Sequence, residues 1–569
     1  MKLKYSIQII CLFTLFLTGC KKDLLDIKPV DKFTEANVFT DAKTLEIYVN
    51  GCYGGSNYPY SFGFYTFGAV GWWVSLPLET FTSPLSDENY AKFDFWGTWV
   101  INHNGALDPS NLGCFGWKWA GLYASVKNCN LFMDNIALAK NVDPLLVGRY
   151  TDEVRFIRAY LYFDLLRYWG GVPIVKTVPS LTKYEVIPRN TSDEVVAFIV
   201  SELDEILKNP QIPASLQTCD DSYKGRATIA AVHALKAKTL LFAASPLFNP
   251  TNDQSKWTTA ASACKAAVDY AEANGHQLFA DYGKLFTTPY NPEEIFIRSY
   301  WSATSQIPVS GSLDTFLNSP SNGGWCSLCP TQDMVESYET LDGKKITDPT
   351  SGYKLEKFWE NRDPRLAQSI LYDGSQWKGH KIETFLPGGV DSNQAPAGSW
   401  NYSITGYFVK KYLKEDVQPG DYDSQKGSPQ HNIIFRLAEL YLDYAETQIE
   451  LGHDAEARAY INKVRARSTM PAIADAGSAL KERYRNERKV ELFMENERYH
   501  DLRRWDIATS VMDSKAIRGI DIKKADDGTK TYSIVNRQVI MFPTKYRFLP
   551  IPKDEVDRSN KVLIQNPGY

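Results

Sequence analysis

The sequence predicts a mainly α-helical fold, with antiparallel helix pairs as the scaffold and an irregular, loop-rich region bearing a few short strands. Three observations carry this reading: apolar residues at helical spacing, stop signals at the ends of those runs, and a central stretch with no sustained period. Val154, Ile157, Leu161, Leu165 and Tyr168 recur at intervals of three and four, the mark of an amphipathic helix. Gly170-Gly171-Val172-Pro173 then stops it. Thr191 and Glu194 read as a capping box ahead of Val195, Phe198, Ile199 and Leu203. An alanine-rich helix is expected from Ala227 to Ala244, ending near Ser245 because Pro246 disfavours helical geometry in the residue before it. Another runs from about Lys256 to Ala273, and a last cluster covers Phe435–Leu451, Asp454–Arg467 and Leu480–Thr509. Pairing with short joints suggests helical hairpins of tetratricopeptide type, although no strict repeat period is present. From about Gln277 to Asn432 the chain turns to Gly, Pro, Asn and Asp, with short β-like runs such as Ile295 to Tyr300.

The N-terminus reads as a targeting segment. Met1, Lys2 and Lys4 precede a mostly apolar run from Tyr5 to Thr18, too short to span a bilayer, which takes about 20 residues. It ends in Leu17-Thr18-Gly19-Cys20, the pattern a lipoprotein signal peptidase accepts, so Cys20 is the expected lipidation site. Two or three acyl chains on it would hold the protein firmly to a membrane. Lys21 and Lys22 follow, with no Asp beside the cysteine, which points to the outer membrane. Residues 1–19 are therefore read as signal peptide and 20–33 as a lipidated linker. Residues 34–225 form an N-terminal region with aromatic-rich loops. Residues 226–569 form a C-terminal region of helix pairs, with the irregular insert at about 277–432. The two regions are expected to make one structural unit.

Composition narrows the function classes. The chain has 569 residues and a net charge of −4, with no basic tract, which removes the electrostatic basis for binding nucleic acid. Of nine cysteines, Cys11 would leave with the signal and Cys20 carry lipid, so an odd seven remain and no disulfide scaffold is implied. Cys326-x-x-Cys329 lacks a second pair at metal spacing and reads as a local disulfide or as two thiols. No cofactor and no catalytic machinery is expected. No His is followed by Glu, and there is no Walker loop, nucleophile elbow or dinucleotide-binding glycine run.

The aromatic content is the stronger signal. Phe, Trp and Tyr make up 13% of the chain, and Trp72, Trp73, Trp96, Trp99, Trp117 and Trp119 crowd one window rich in Gly, Asn, Ser and Pro. A sugar ring stacks its C–H face on an aromatic plane, while its hydroxyls need partners such as Asp87, Asn89, Asp94, Asn102 and Asn104. Most tryptophans are core residues, and Trp117 and Trp119 open a helical pattern that assigns them there. Trp72, Trp73 and Trp96 stand in loop-like sequence.

Several stretches, in order and over nearly the whole mature chain, resemble the SusD/RagB family of surface lipoproteins. They include Trp119-x-x-x-Tyr123, Glu153-Val-Arg155-Phe-Ile-Arg158, Tyr168-Trp-Gly-Gly-Val-Pro173 and Gly225-Arg226-Ala227. Further on come Asn361-Arg-Asp-Pro-Arg365, Arg436-x-x-Glu439, Glu487-Arg488-x-x-Glu491, Arg498-Tyr-x-Asp501-Leu-x-Arg504-Trp505 and Leu549-Pro-Ile-Pro552. The resemblance implies a non-catalytic protein with four tetratricopeptide-like helix pairs that captures a glycan and hands it to a SusC-like TonB-dependent transporter. Alternatives are a peptide-capturing branch of the family and a surface glycosidase. By position in the family, the ligand site would draw on Trp72, Trp73, Tyr90, Trp96, Trp301 and Trp325, with Asp87 and Asn89 as polar partners. The charged run Glu487, Arg488, Glu491, Arg498, Asp501 and Arg504 is read instead as ion pairs that tie helices together, and Asp363 as the stitch of a turn ahead of Pro364. Asp421-x-Asp423 is a poor match to a calcium loop, whose Gly falls at position six where here Gly427 falls at seven.

Overall fold

A computed structural model of the chain describes residues 38–55, 82–93, 104–178, 186–299, 301–302, 305–306, 313–394, 400–416 and 431–569. Cys20, Trp72, Trp73, Trp96 and the Asp421-x-Asp423 stretch lie outside them.

Helices in a continuous array form the body. After α1 (Ala42–Asn50) come α2 (Cys114–Asn135), α3 (Pro144–Trp169), α4 (Ser192–Lys208), α5 (Ile229–Ala244) and α6 (Gln254–Ala273), each packed on the next. The insert intervenes, and α7 (Leu437–Glu450) then docks on α6 and is followed by α8 (Asp454–Arg467) and α9 (Gly477–Glu491). Nearly every residue of α3 from Asp152 onward is buried, as befits a helix with neighbours on all sides. Asp143 caps its start by accepting from the Leu145 N–H at 2.9 Å. The predicted capping box on α4 is present: Thr191 accepts from the Glu194 N–H at 3.2 Å and Glu194 from the Thr191 N–H at 2.7 Å. Helix α5 ends at Ala244, as Pro246 requires.

Three expectations are corrected. The run Leu480–Thr509 is not one helix: α9 stops at Glu491, Met494 and Asn496 take left-handed backbone, and α10 (Arg498–Arg504) begins afresh. Side chains from elsewhere hold this turn open, since Arg436 Nη2 donates to the Glu491 carbonyl at 3.1 Å and Lys411 Nζ to that of Phe493 at 2.6 Å. Phe435 belongs to a strand rather than to α7. Trp117 is exposed while Trp119 is buried, because residues two apart on a helix face different directions.

The strands are short and pair two by two: β1 (Asn89–Ala91) with β3 (Leu328–Pro330), and β2 (Glu294–Ser299) with β4 (His431–Arg436). A longer hairpin, β5 (Ala516–Lys524) with β6 (Lys530–Val539), buries Ile517, Ile520 and Ile522.

The charged motifs pair with one another, in the structural role read from the sequence. Glu491 is the centre of one knot: its carboxylate accepts from Arg436 at 2.7 Å and Arg365 at 2.9 Å, and also from Arg467. This joins the insert, the start of α7, the end of α8 and α9. Burial works against ionisation there, but the three arginines outweigh it and hold the Glu491 carboxyl well below the usual range. Asp501 takes Arg488 at 2.7 Å and Arg504 at 2.9 Å. Asp363 stitches its turn by accepting from the Arg365 N–H at 3.0 Å. Removing one member of such a buried set costs about 3–5 kcal/mol, since the partner is left as an uncompensated charge. Among the described residues, no helix is long and apolar enough to cross a membrane.

Candidate functional site

Strand β1 sets Tyr90 opposite Cys329 of β3, and the period of two decides which side chains reach the surface. Asn89 and Ala91 point inward and are buried, whereas Tyr90 and Lys92 are half-buried on the other side. The Lys92 N–H continues the ladder to the Ser327 carbonyl at 2.9 Å.

The loop before β3 is shaped by a close approach. A Cβ on Gly324 would lie 2.3 Å from the Asn318 carbonyl oxygen, so no side chain fits there. The N–H groups of Trp325 and Ser327 bond the carbonyls of Thr315 and Phe316 at 2.8 and 2.9 Å, and Cys326 takes a positive φ. Trp325 is thereby presented half-buried at the edge of the insert. A second loop, Trp400-Asn401-Tyr402, is fastened beside it by Asn401 Nδ2, which donates to the Gly324 carbonyl at 2.6 Å.

Together these loops build an aromatic cluster. Trp400 is 57% exposed, its ring centroid 6.3 Å from that of Trp325 and 5.6 Å from that of Phe93. Lys92 Nζ lies 3.8 Å from the centre of the Tyr402 ring and donates to the Tyr402 carbonyl at 2.5 Å. Burial pulls the Lys92 ammonium below the ordinary lysine pKa, with Cys326 and Cys329 acting in the opposite sense. A partly exposed cluster of mutually tilted rings beside amide and ammonium donors can hold a hydroxylated ligand by stacking and hydrogen bonds.

Of the residues expected in the site, the structure brings Tyr90 and Trp325 onto these two adjoining elements. Trp301 lies in a short strand pairing with Gln306, and only its backbone is described. Asp87 and Asn89 are turned away from the cluster and are engaged within the protein. Asp87 accepts from Arg498 at 2.7 and 2.9 Å and from Lys489 at 2.9 Å, fastening the loop to α9 and α10. Burial opposes its ionisation, yet these two cations hold the carboxyl well below the usual range. Asn89 has no exposed surface, and its amide donates to Ser83 Oγ at 2.6 Å. The sequence reading missed Lys92, Phe93, Trp400, Asn401 and Tyr402. Trp400-Asn-Tyr402 follows Pro396-Ala-Gly-Ser399, the same mixture of aromatic and turn-forming residues that marked the earlier window.

Cys326 and Cys329 stand as buried thiols with their sulfurs 3.5 Å apart. No group of three or more His, Cys, Asp or Glu among the described residues is placed to hold a metal ion.

A model of the SusD family matches residues 283–569, more than half of the chain. The chain belongs to the SusD family. A second model, described as starch-binding associating with the outer membrane, matches residues 81–241 of this SusD-family protein. It is 23% identical over 516 residues to a SusD-like protein of Bacteroides ovatus, covering 88% of this chain and 83% of the other. It is 22% identical to the starch-binding protein SusD of Bacteroides thetaiotaomicron, covering 80% and 78%. Among solved structures, a SusD-like protein of Bacteroides fragilis superposes with a TM-score of 0.76 at 24% identity, over 95% of this chain and all of the other. Surface glycan-binding protein A of Bacteroides thetaiotaomicron, solved with laminarihexaose, gives a TM-score of 0.65 at 19% identity, over 93% and 100%. These confirm the mainly helical SusD-like fold expected from the sequence.

Proposed function

We propose that this protein is a non-catalytic surface lipoprotein that binds a glycan on the Phe93, Trp325, Trp400 and Tyr402 cluster and delivers it to a SusC-like TonB-dependent transporter. The observation that carries the reading is the exposed Trp400 ring between Phe93 and Trp325, on loops fixed to a SusD-family scaffold. A soluble protein rarely exposes a tryptophan beside other rings unless something covers it. The sugar-binding relatives named above support glycan as the ligand. The Leu17-to-Cys20 motif supports attachment to the outer membrane through acyl chains on Cys20.

Three experiments test this. Soluble protein beginning at Lys21 should be retarded by at least one polysaccharide in affinity electrophoresis, with its chain length unchanged after incubation; shortening would show a glycosidase. Cells expressing the full chain should incorporate an acyl probe into it, and Cys20→Ala should abolish the label. Co-purification of a SusC-like protein with the full chain tests the partner.

A further inference from the structure

Lys92 sits within the aromatic cluster, and no carboxylate among the described residues pairs with it. Its Nζ donates to the Tyr402 carbonyl at 2.5 Å and lies 3.8 Å from the Tyr402 ring centre and 5.6 Å from that of Phe93. Among the described residues, the ionisable groups acting on it are the thiols of Cys326 and Cys329, and no Asp or Glu forms an ion pair with it. The lysines that are fully buried among the described residues are matched by acids: Lys118 by Asp164 at 2.5 Å, Lys411 by Glu495 at 2.7 Å and Lys489 by Asp87 at 2.9 Å, whereas the half-buried Lys410 donates, like Lys92, to a backbone carbonyl, that of Ala367 at 3.0 Å. Lys238 has both Glu439 and Glu497.

An ammonium carries three N–H donors, and the Tyr402 carbonyl engages one. Withdrawing a cation from water is unfavourable unless something of opposite charge or polarity replaces the lost hydration. The Tyr402 ring supplies part of that through its negative face. An anionic group on a ligand stacked against the cluster would supply the rest, in a charge-assisted hydrogen bond roughly twice as strong as a neutral one.

We infer that the ligand of this site is an anionic glycan, bearing carboxylate or sulfate groups, and that Lys92 is the residue that selects for it. The inference rests on the reading of the cluster as a glycan platform. Stacking on Trp325, Trp400 and Phe93 recognises the sugar ring, and the ammonium distinguishes an acidic sugar from a neutral one of the same shape. Carboxylate and sulfate share this chemistry, and the test separates them.

The experiment is calorimetric titration of the soluble protein with matched pairs: polygalacturonate against its carboxyl-reduced form, and a sulfated galactan against its desulfated form. The charged member of one pair should bind about tenfold tighter or more. The advantage should shrink as salt rises from roughly 50 mM to roughly 500 mM, since a partly exposed charge pair is screened. Lys92→Met should remove the difference within that pair and Lys92→Arg should keep most of it, both with the melting temperature of the wild type. The pair that shows the preference identifies carboxylate or sulfate. Equal binding within both pairs, a preference for the neutral members, or a preference that survives in Lys92→Met would each overturn the inference. Tight binding of neutral glycans overturns it while leaving the glycan-binding function standing; binding of no glycan of either kind overturns both.

Discussion

Trp400 and Trp325 stand 6.3 Å apart on separate loops, and the hydrogen bond from Asn401 to the Gly324 carbonyl fixes one loop to the other. In the proposed site the two rings act together, one as the plane beneath a sugar ring and the other as a second contact that orients it.

Removing both rings should therefore remove binding. Each stacking contact is worth roughly 1 kcal/mol or more, so Trp325→Ala with Trp400→Ala should weaken glycan affinity by about tenfold to a hundredfold. Trp400→Ala alone should leave the unfolding midpoint nearly unchanged, since the side chain is 57% exposed. Titration with the best glycan, alongside circular dichroism, checks both statements.

Gly324→Ala should act on the site without touching the ligand. The new methyl would meet backbone atoms of Asn318 at 2.3–2.4 Å, so the loop must shift, at a cost of about 1–3 kcal/mol. The expected result is a lower urea midpoint together with weaker glycan binding.

Asp87→Ala separates a structural from a ligand-contacting acid. It would leave Arg498 and Lys489 without their carboxylate, costing about 3 kcal/mol, the low end for a buried pair because Asp87 keeps some exposure. Stability should fall in denaturant melts without any ligand present. A variant of full stability that had lost only affinity would return Asp87 to the binding face.

Two buried groups give opposite pH dependences. Burial lowers the His276 pKa to about 4, so its contribution is present above the unfolded value of about 6.5 and is lost as pH falls toward 4. Glu88 is pushed up to about 8 by burial, so it folds as the neutral acid and its contribution is lost as pH rises from about 4.5 through 8. His276→Asn should flatten the acid side of a stability-against-pH curve and Glu88→Gln the neutral-to-alkaline side. Each change should be on the order of a few kcal/mol at most.

The scaffold was legible because α3, α4 and α5 carry their limits in local chemistry: Gly170 ends one, Thr191 and Glu194 start the next, and Pro246 stops the third. The break between α9 and α10 was not, because Arg436 and Lys411 impose it from far along the chain. The site divides the same way. Tyr90 and Trp325 stood out as aromatics in irregular sequence. Asp87 looked available because its partners Lys489 and Arg498 are some four hundred residues away. Lys92 and Trp400 gained meaning only once β1 met β3 and the Trp400 loop met Gly324.

Glycan binding by the aromatic cluster can be measured directly. The most direct measurement is affinity electrophoresis of soluble wild-type protein and the Trp325→Ala, Trp400→Ala double variant through gels holding individual neutral and acidic polysaccharides. Retardation of the wild type by at least one polysaccharide, lost in the folded double variant, is the predicted result. Free migration of both proteins through every gel, or equal retardation of both, would contradict the account.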